Sequence, residues 1–203
     1  MKNSILSILA ITAMLACNKK ETTVGDQSAD STTTATSMDS STVPADSTAT
    51  PNATDAAASL NDQDKKFADA AATGGMMEVM MGELAASNGT NAAVKSLGAM
   101  MAKDHGKAND ELKAWATATG YTLPSSLNAD QQKKYDDLKM KKGAEFDRMY
   151  ADLMVTDHKK DIAEFKKEAS EGSETSLKTF AGKTVPTLEH HLMESEKTKT
   201  AVK

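Results

Sequence analysis

The chain has 203 residues, a formal net charge of -5, only 4% aromatic residues and 13 methionines. This length favours one or two domains, and the acidic balance argues against a nucleic-acid-binding protein. Cys17 is the only cysteine, so no disulfide can form within the chain and a folded domain must depend on its hydrophobic core. The second half is rich in Ala, Lys, Glu, Leu and Met and lacks alternating β-branched runs, which predicts an all-α domain.

The N-terminus has the pattern of an export signal. Lys2 precedes the apolar segment 5–15, which is shorter than the ~20 residues that a membrane-spanning helix needs. The sequence MLAC at 14–17 resembles the lipobox of bacterial lipoproteins, with Met14 in place of the preferred Leu. We therefore expect residues 1–17 to be a signal peptide ending at the lipobox cysteine, with Cys17 as the lipidation site. This resemblance implies a membrane partner held through the lipid, and Asn18 is compatible with delivery to the outer membrane of the cell envelope.

Residues 18–59 have the composition of a tether. They contain 17 Ser or Thr residues, two Lys and six acidic residues, and no aromatic residue. Such a segment buries too little apolar surface to offset the entropy of ordering it. We expect a disordered spacer between the membrane and the remaining residues, 60–203, which carry 21 basic and 23 acidic residues and indicate no charged partner.

Capping residues and apolar periodicity predict four long helices in residues 60–203. The expected helices run from 60–62 to about Ser87, from about Asn91 to Thr119, from Asn128 or Asp130 to about Ala169 with a break near Gly143, and from about Ser173 to about Lys199. Pro186 lies inside the last helix, where we expect a kink or a break. The pattern predicts a four-helix bundle with a longer, partly helical connection between helices two and three.

Each predicted helix carries one possible metal ligand in line with its apolar residues. Glu78 has this position in the first helix, His105 in the second, His158 in the third and His191 in the fourth. His190 points to a neighbouring face. The four side chains are therefore expected to point toward the bundle interior.

Several short motifs, in order, resemble the bacterial domain-of-unknown-function family 4142. The resemblance covers about residues 60–200 and implies a ferritin-like helical fold in an envelope protein, without an agreed activity. The motifs are FADAAATGGMMEV at 67–79, GELA at 82–85, MAKDH at 101–105, GAEFDRMY at 143–150, DHKK at 157–160 and VPTLEHHL at 185–192.

The ligand pattern leaves two hypotheses open. Di-iron chemistry in ferritin-like bundles needs Glu-x-x-His motifs, but Ala102, Val155 and Leu188 stand three positions before the three histidines. A site for a single transition-metal ion, Zn, Cu or Fe, remains possible through Glu78, His105, His158 and His191, with Asp104 and Asp157 as supporting residues outside the ligand set. The alternative, which we favour at this stage, is that these groups hydrogen-bond to one another as a polar core.

The function expected from the sequence is accordingly broad. We find no nucleophile constellation, phosphate loop or dinucleotide motif, so an enzyme is the least favoured class. Methionines 76, 77, 80, 81, 100 and 101 could bind Cu(I), but gap filling in an aromatic-poor core is the more favoured role. We expect an envelope-anchored lipoprotein with a binding, structural or stress-related role, and as the alternative a protein that binds one transition-metal ion.

Overall fold

A computed structural model describes residues 60–203, which form five α-helices and contain no strand. The helices are α1 (Asp62–Asn88), α2 (Ala92–Thr119), α3 (Ala129–Met140), α4 (Gly143–Glu171) and α5 (Thr175–Ala201). The all-α prediction is thereby confirmed. The expected signal peptide with Cys17 and the expected tether lie outside the described residues. No helix in residues 60–203 combines the length and apolar character that crossing a membrane requires.

Local capping explains several of the helix ends. Asn61 and Asn128 each form a capping box, with Asp64 and Gln131 respectively, and the Asn91 side chain accepts a hydrogen bond from the Ala93 N–H. Gly120 ends α2 in the left-handed conformation (φ 69°), which glycine adopts without steric cost. These starts and stops agree with the sequence predictions to within one or two residues.

The two interruptions predicted within the helices have different outcomes. The third predicted helix is divided into α3 and α4 near Gly143, as expected, with Gly143 at φ 56° at the start of α4. Conversely, α5 continues through Pro186 without a break. Proline removes one backbone N–H, which leaves the Gly182 carbonyl without its helical donor. Gly182 is exposed, so water can satisfy that carbonyl and the helix can continue.

The long helices pack as two hairpins. Contacts are most extensive between α1 and α2 and between α4 and α5, whereas narrower contacts between α2 and α5 and between α1 and α4 join the hairpins. Gly82 and Gly98 bring α1 and α2 together, since a Cβ added at Gly98 would lie 2.6 Å from the Gly82 carbonyl oxygen. The short helix α3 covers α1 and α4 and buries Leu138 completely.

Each hairpin turn is held by an aspartate of the other hairpin. Asp147 of α4 accepts hydrogen bonds from the backbone N–H groups of Thr90 (2.9 Å) and Asn91 (2.8 Å) and from the Thr90 hydroxyl. Asp64 of α1 likewise accepts from the Ser173 N–H (2.9 Å) and the Ser173 hydroxyl. The two hairpins are thus fixed to each other at both ends by charge-assisted hydrogen bonds.

The core consists of two apolar clusters with a polar layer between them. One cluster includes Phe67, Leu112 and Trp115, and the other includes three of the methionines considered above, Met77, Met81 and Met101. In α2 and α4 the change from one cluster to the other falls at the predicted histidines. The hairpin packing therefore presents these histidines to one another inside the protein.

Candidate metal centre

Three imidazoles from three helices meet in the polar layer. His105 of α2, His158 of α4 and His191 of α5 are 8%, 0% and 1% exposed. His105 Nε2 lies 3.4 Å from His158 Nε2, which in turn lies 3.3 Å from His191 Nδ1. Each histidine offers a ring nitrogen within 4.8 Å of the other two. The predicted convergence of the three histidines therefore occurs.

The outward-facing nitrogens of two imidazoles are held by acceptors. His158 Nδ1 lies 2.9 Å from the Met154 carbonyl oxygen, and His191 Nε2 lies 3.1 Å from Asp104 Oδ2. A carbonyl or carboxylate oxygen can only accept, so each of these nitrogens carries the proton and donates. In the neutral rings, His158 Nε2 and His191 Nδ1 then hold lone pairs that face each other at 3.3 Å.

An additional proton shared between these two lone pairs is disfavoured, because burial disfavours a charged imidazole ring. Burial lowers the pKa of His105 well below its usual value, and the neighbouring His158 and His191 lower it further. Burial and His191 lower the pKa of His158 to about 4, against the hydrogen bond to Met154. Burial also lowers the pKa of His191, although Asp104 opposes this shift. The cluster is therefore neutral at physiological pH. If His105 donates to His158, the inward nitrogen of His191 still has no donor among the three rings.

The nitrogen spacing matches metal coordination. Zinc–imidazole bonds are about 2.0–2.1 Å, which gives nitrogen–nitrogen distances of about 3.3–3.4 Å along the edge of a tetrahedron. The two distances at His158, 3.4 and 3.3 Å, match this edge, and the third pair of nitrogens lies within 4.8 Å. His158 and His191 each have an inward lone pair and an outward N–H group held by an acceptor, as metal-binding imidazoles do.

Glu78, the fourth predicted ligand, does not join this group. Only the three histidines form a set of ligand atoms within reach of one ion in the described part of the chain. Glu78 is 1% exposed, and neither carboxylate oxygen has a hydrogen-bond partner among residues 60–203. Burial raises its pKa well above the usual value, and Asp161 and Asp157 raise it further. Glu78 therefore belongs to a separate buried carboxyl cluster.

The two predicted supporting aspartates have different positions. Asp104 contacts His191 as the prediction requires. Asp157 makes no hydrogen bond to an imidazole within the described residues: its Oδ1 accepts from Lys134 Nζ of α3 at 2.6 Å, and its buried Oδ2 has no partner there. Asp157 thus lies with Glu78 in the carboxyl cluster, and α3 supplies that cluster's cation.

Sequence reasoning missed two other members of this region. Asp161 follows His158 by three residues, and burial together with Asp157 raises its pKa to about 7. The buried Tyr150 hydroxyl has no hydrogen-bond partner in the described part of the chain, and burial together with Glu78 raises its pKa. Spacing along α4 could have indicated Asp161, since residues three apart lie on neighbouring parts of one helix face. No local signal indicates Tyr150.

A pocket reaches the imidazoles from one side. It lies between α2 and α5, has a volume of about 180 Å³, and is lined on those helices by residues that include His105 and His191. A smaller cavity of about 30 Å³ lies on the other side of His105 and is also lined by Asp161 and Gly75. The histidine cluster is therefore buried but accessible to small molecules.

Comparisons with known proteins agree with the fold and do not assign an activity. No curated protein matches the chain significantly. The crystal structure of a DUF305 fragment from Deinococcus radiodurans is similar, with 11% identity, a TM-score of 0.62, and coverage of 70% of this chain and 98% of that chain. At this identity the similarity shows the fold alone. The model of a family described as a domain of unknown function, DUF4142, matches residues 49–198. The resemblance inferred from the sequence motifs is thus confirmed, and the chain belongs to the DUF4142 family of domains of unknown function.

Proposed function

We propose that this domain binds a single transition-metal ion through His105, His158 and His191. One observation carries the proposal: the acceptors at Met154 and Asp104 turn the proton-bearing nitrogens of two imidazoles outward, so that their lone pairs face each other at 3.3 Å. A bound cation satisfies both lone pairs and that of His105. Three imidazoles suit Zn, Cu or Fe.

The polar-core hypothesis accounts for only part of this geometry. It explains the His191–Asp104 hydrogen bond and the His158–Met154 hydrogen bond. Among the described residues it supplies no donor to the inward nitrogen of His191 when His105 donates to His158, and a buried polar atom without a partner costs about 1–3 kcal/mol. Ion binding removes this deficit, which is why we favour it over a purely structural role for the histidines.

Metal binding can be tested on the purified chain with Cys17→Ser, which removes the only thiol as a competing ligand. We expect one equivalent of Zn²⁺ or Co²⁺ to remain after dialysis, and chelator to remove it. At a free metal concentration of 100 Kd, binding stabilises the folded state by about 2.7 kcal/mol. The thermal midpoint should then rise by roughly 5–10 °C.

Variants of the histidines separate coordination from general surface binding. His158→Gln should abolish stoichiometric binding, whereas His190→Gln should retain it, because His190 is exposed beside His191 and outside the cluster. Circular dichroism must show that His158→Gln remains folded. Metal content well below one equivalent in the parent, or equal metal content in both variants, would remove the proposal.

Attachment to the cell envelope is the second part of the proposal. The signal-like residues 1–17, the lipobox cysteine and the Ser/Thr-rich segment 18–59 support a lipid anchor at Cys17 in the outer membrane, with the helical domain held at the end of a tether. Metabolic labelling with a radioactive fatty acid tests this directly. We expect labelled protein in the membrane fraction, and loss of the label in Cys17→Ala.

The arrangement of the helices is the third part. The two joined hairpins, α1–α2 and α4–α5, support a ferritin-like four-helix bundle in which α3 belongs to the connection between the second and third long helices. The imidazoles would then lie in the bundle core, where such folds commonly hold metals. An experimental structure of the domain with its ion would test both the helix arrangement and the coordination.

A further inference from the structure

The three histidines supply only three ligands, and one side of the cluster faces the pocket between α2 and α5. His158 is completely buried, whereas His105 and His191 both line the pocket. A tetrahedral ion held by three imidazoles keeps a fourth position for an external ligand. Because the protein encloses the His158 side, the accessible position is the one toward the pocket.

The pocket is larger than one water molecule requires. Its volume is about 180 Å³, whereas a water molecule in the liquid has a share of about 30 Å³. The lining includes Thr184 and Thr187 of α5, two turns and one turn before His191 respectively. A ligand of a few heavy atoms can therefore reach the imidazoles without rearrangement of the helices.

The charged side chains that line the pocket balance one another, so the bound metal ion makes the pocket favourable for an anion. Lys183 is paired with Glu111 at 2.9 Å, whereas Asp104 accepts a hydrogen bond from the neutral His191 and keeps its negative charge. Lys107 lines the pocket and makes no ion pair or hydrogen bond with the described residues of the protein. The bound metal ion adds further positive charge at the base of the pocket, since the three imidazoles are neutral.

We propose that this pocket admits a small anionic ligand to the fourth coordination position of the ion, with Lys107 at its mouth as a positioning residue. This inference rests on the proposed function. It names the ligand class of the site, a small anion with a donor atom that coordinates a transition metal.

The test uses the Co²⁺-loaded chain with Cys17→Ser and azide as the probe. Cobalt in a site of low coordination number has visible absorption bands that depend on its ligands, so the bands report the fourth position directly. We expect azide to change the bands with saturation at one site. Lys107→Gln should weaken azide binding roughly three- to fivefold, as expected for a partly exposed charge. Lys103→Gln on the same helix is exposed, lies outside the pocket and should have no effect.

A blocking variant provides an independent readout. Thr187→Trp places a large side chain in the pocket, so it should prevent the azide-dependent change while the cobalt bands remain. If cobalt binds but azide leaves the bands of the parent unchanged, the inference is overturned and the proposed function stands. An absence of cobalt bands overturns both, whereas equal azide affinity in Lys107→Gln and the parent overturns the role of Lys107.

Discussion

Removal of Asp104 should weaken metal binding through the tautomer of His191. Asp104 Oδ2 accepts from His191 Nε2 at 3.1 Å, and the Asp104 side chain is 32% exposed. Without this acceptor, the proton of His191 can move to Nδ1 and form a hydrogen bond to His158 Nε2, 3.3 Å away. Metal binding must then break that hydrogen bond, at a cost of about 0.5–1.5 kcal/mol. The ring also loses the acceptor that orients it, so we expect Asp104→Ala to weaken metal affinity about tenfold. This lies near the lower end of the losses known for residues that hydrogen-bond to a metal ligand, because the Asp104 carboxylate is partly solvated.

Titration with Zn²⁺ in competition with a chelating indicator measures this affinity. Asp104→Asn should lose less, because its amide oxygen can still accept from Nε2. Asp110→Ala on the same helix is the matched control, since the Asp110 side chain is 80% exposed and only loosely paired with Lys113 at 3.6 Å. Nitrogen-15 spectra of the imidazoles should show His191 protonated at Nε2 in the metal-free parent and at Nδ1 in Asp104→Ala. Equal Zn²⁺ affinity in Asp104→Ala and the parent would refute the argument from tautomers.

Three further predictions concern stability, each measured by urea denaturation of the metal-free chain. Gly98→Ala should destabilise by about 1–3 kcal/mol, because its Cβ would lie 2.6 Å from the Gly82 carbonyl oxygen. Gly106→Ala, whose Cβ would meet no atom within 4 Å, should stabilise by about 0.5–1 kcal/mol. Equal changes in stability in Gly98→Ala and Gly106→Ala would contradict the close packing of Gly98 against Gly82. Asp147→Ala should cost about 3 kcal/mol, because it removes a charged acceptor of two backbone N–H groups and a hydroxyl, and a loss below 1 kcal/mol would contradict this. Burial raises the pKa of Asp161 in the folded protein from its usual 3.8 to about 7. Between these values the folded form binds more protons than the unfolded form, so the contribution of Asp161 to stability falls as pH rises through this window. Asp161→Asn should therefore stabilise by on the order of 1 kcal/mol at pH 8 and have little effect near pH 4, and a difference independent of pH would contradict the shift.

Helix ends and the inward direction of the histidines could be predicted because they depend on nearby residues. Asn61, Asn128 and Gly120 act on backbone groups within a few positions, so their effect is visible in the sequence. The alignment of His105 and His158 with apolar residues likewise follows from the helical period alone. The break between α3 and α4 was also expected near Gly143, where the structure has it.

Which residues form the site depends on how far each helix is shifted along its axis relative to the other helices. A shift of one helical turn moves a side chain by about 5.4 Å along the axis, more than the length of any metal–ligand bond. The apolar stripe of α1 has no feature that fixes this depth, so periodicity alone groups Glu78 with the imidazoles. In the structure Glu78 lies outside their ligand set and interacts electrostatically with Asp157 and Asp161. The packing of α3 over α1 and α4, in which Lys134 pairs with Asp157, also depends on contacts between distant segments.

By itself, the sequence determined the helices, their ends and the side chains that point inward, because local hydrogen bonds and periodicity decide these features. Only the tertiary structure decided which of those side chains meet, which nitrogen of His158 and of His191 carries the proton, and where a pocket reaches the imidazoles. The physical reason is that these features depend on distances between helices. Those distances are set by the packing of Gly82 against Gly98 and by the hydrogen bonds that Asp64 and Asp147 accept from the hairpin turns.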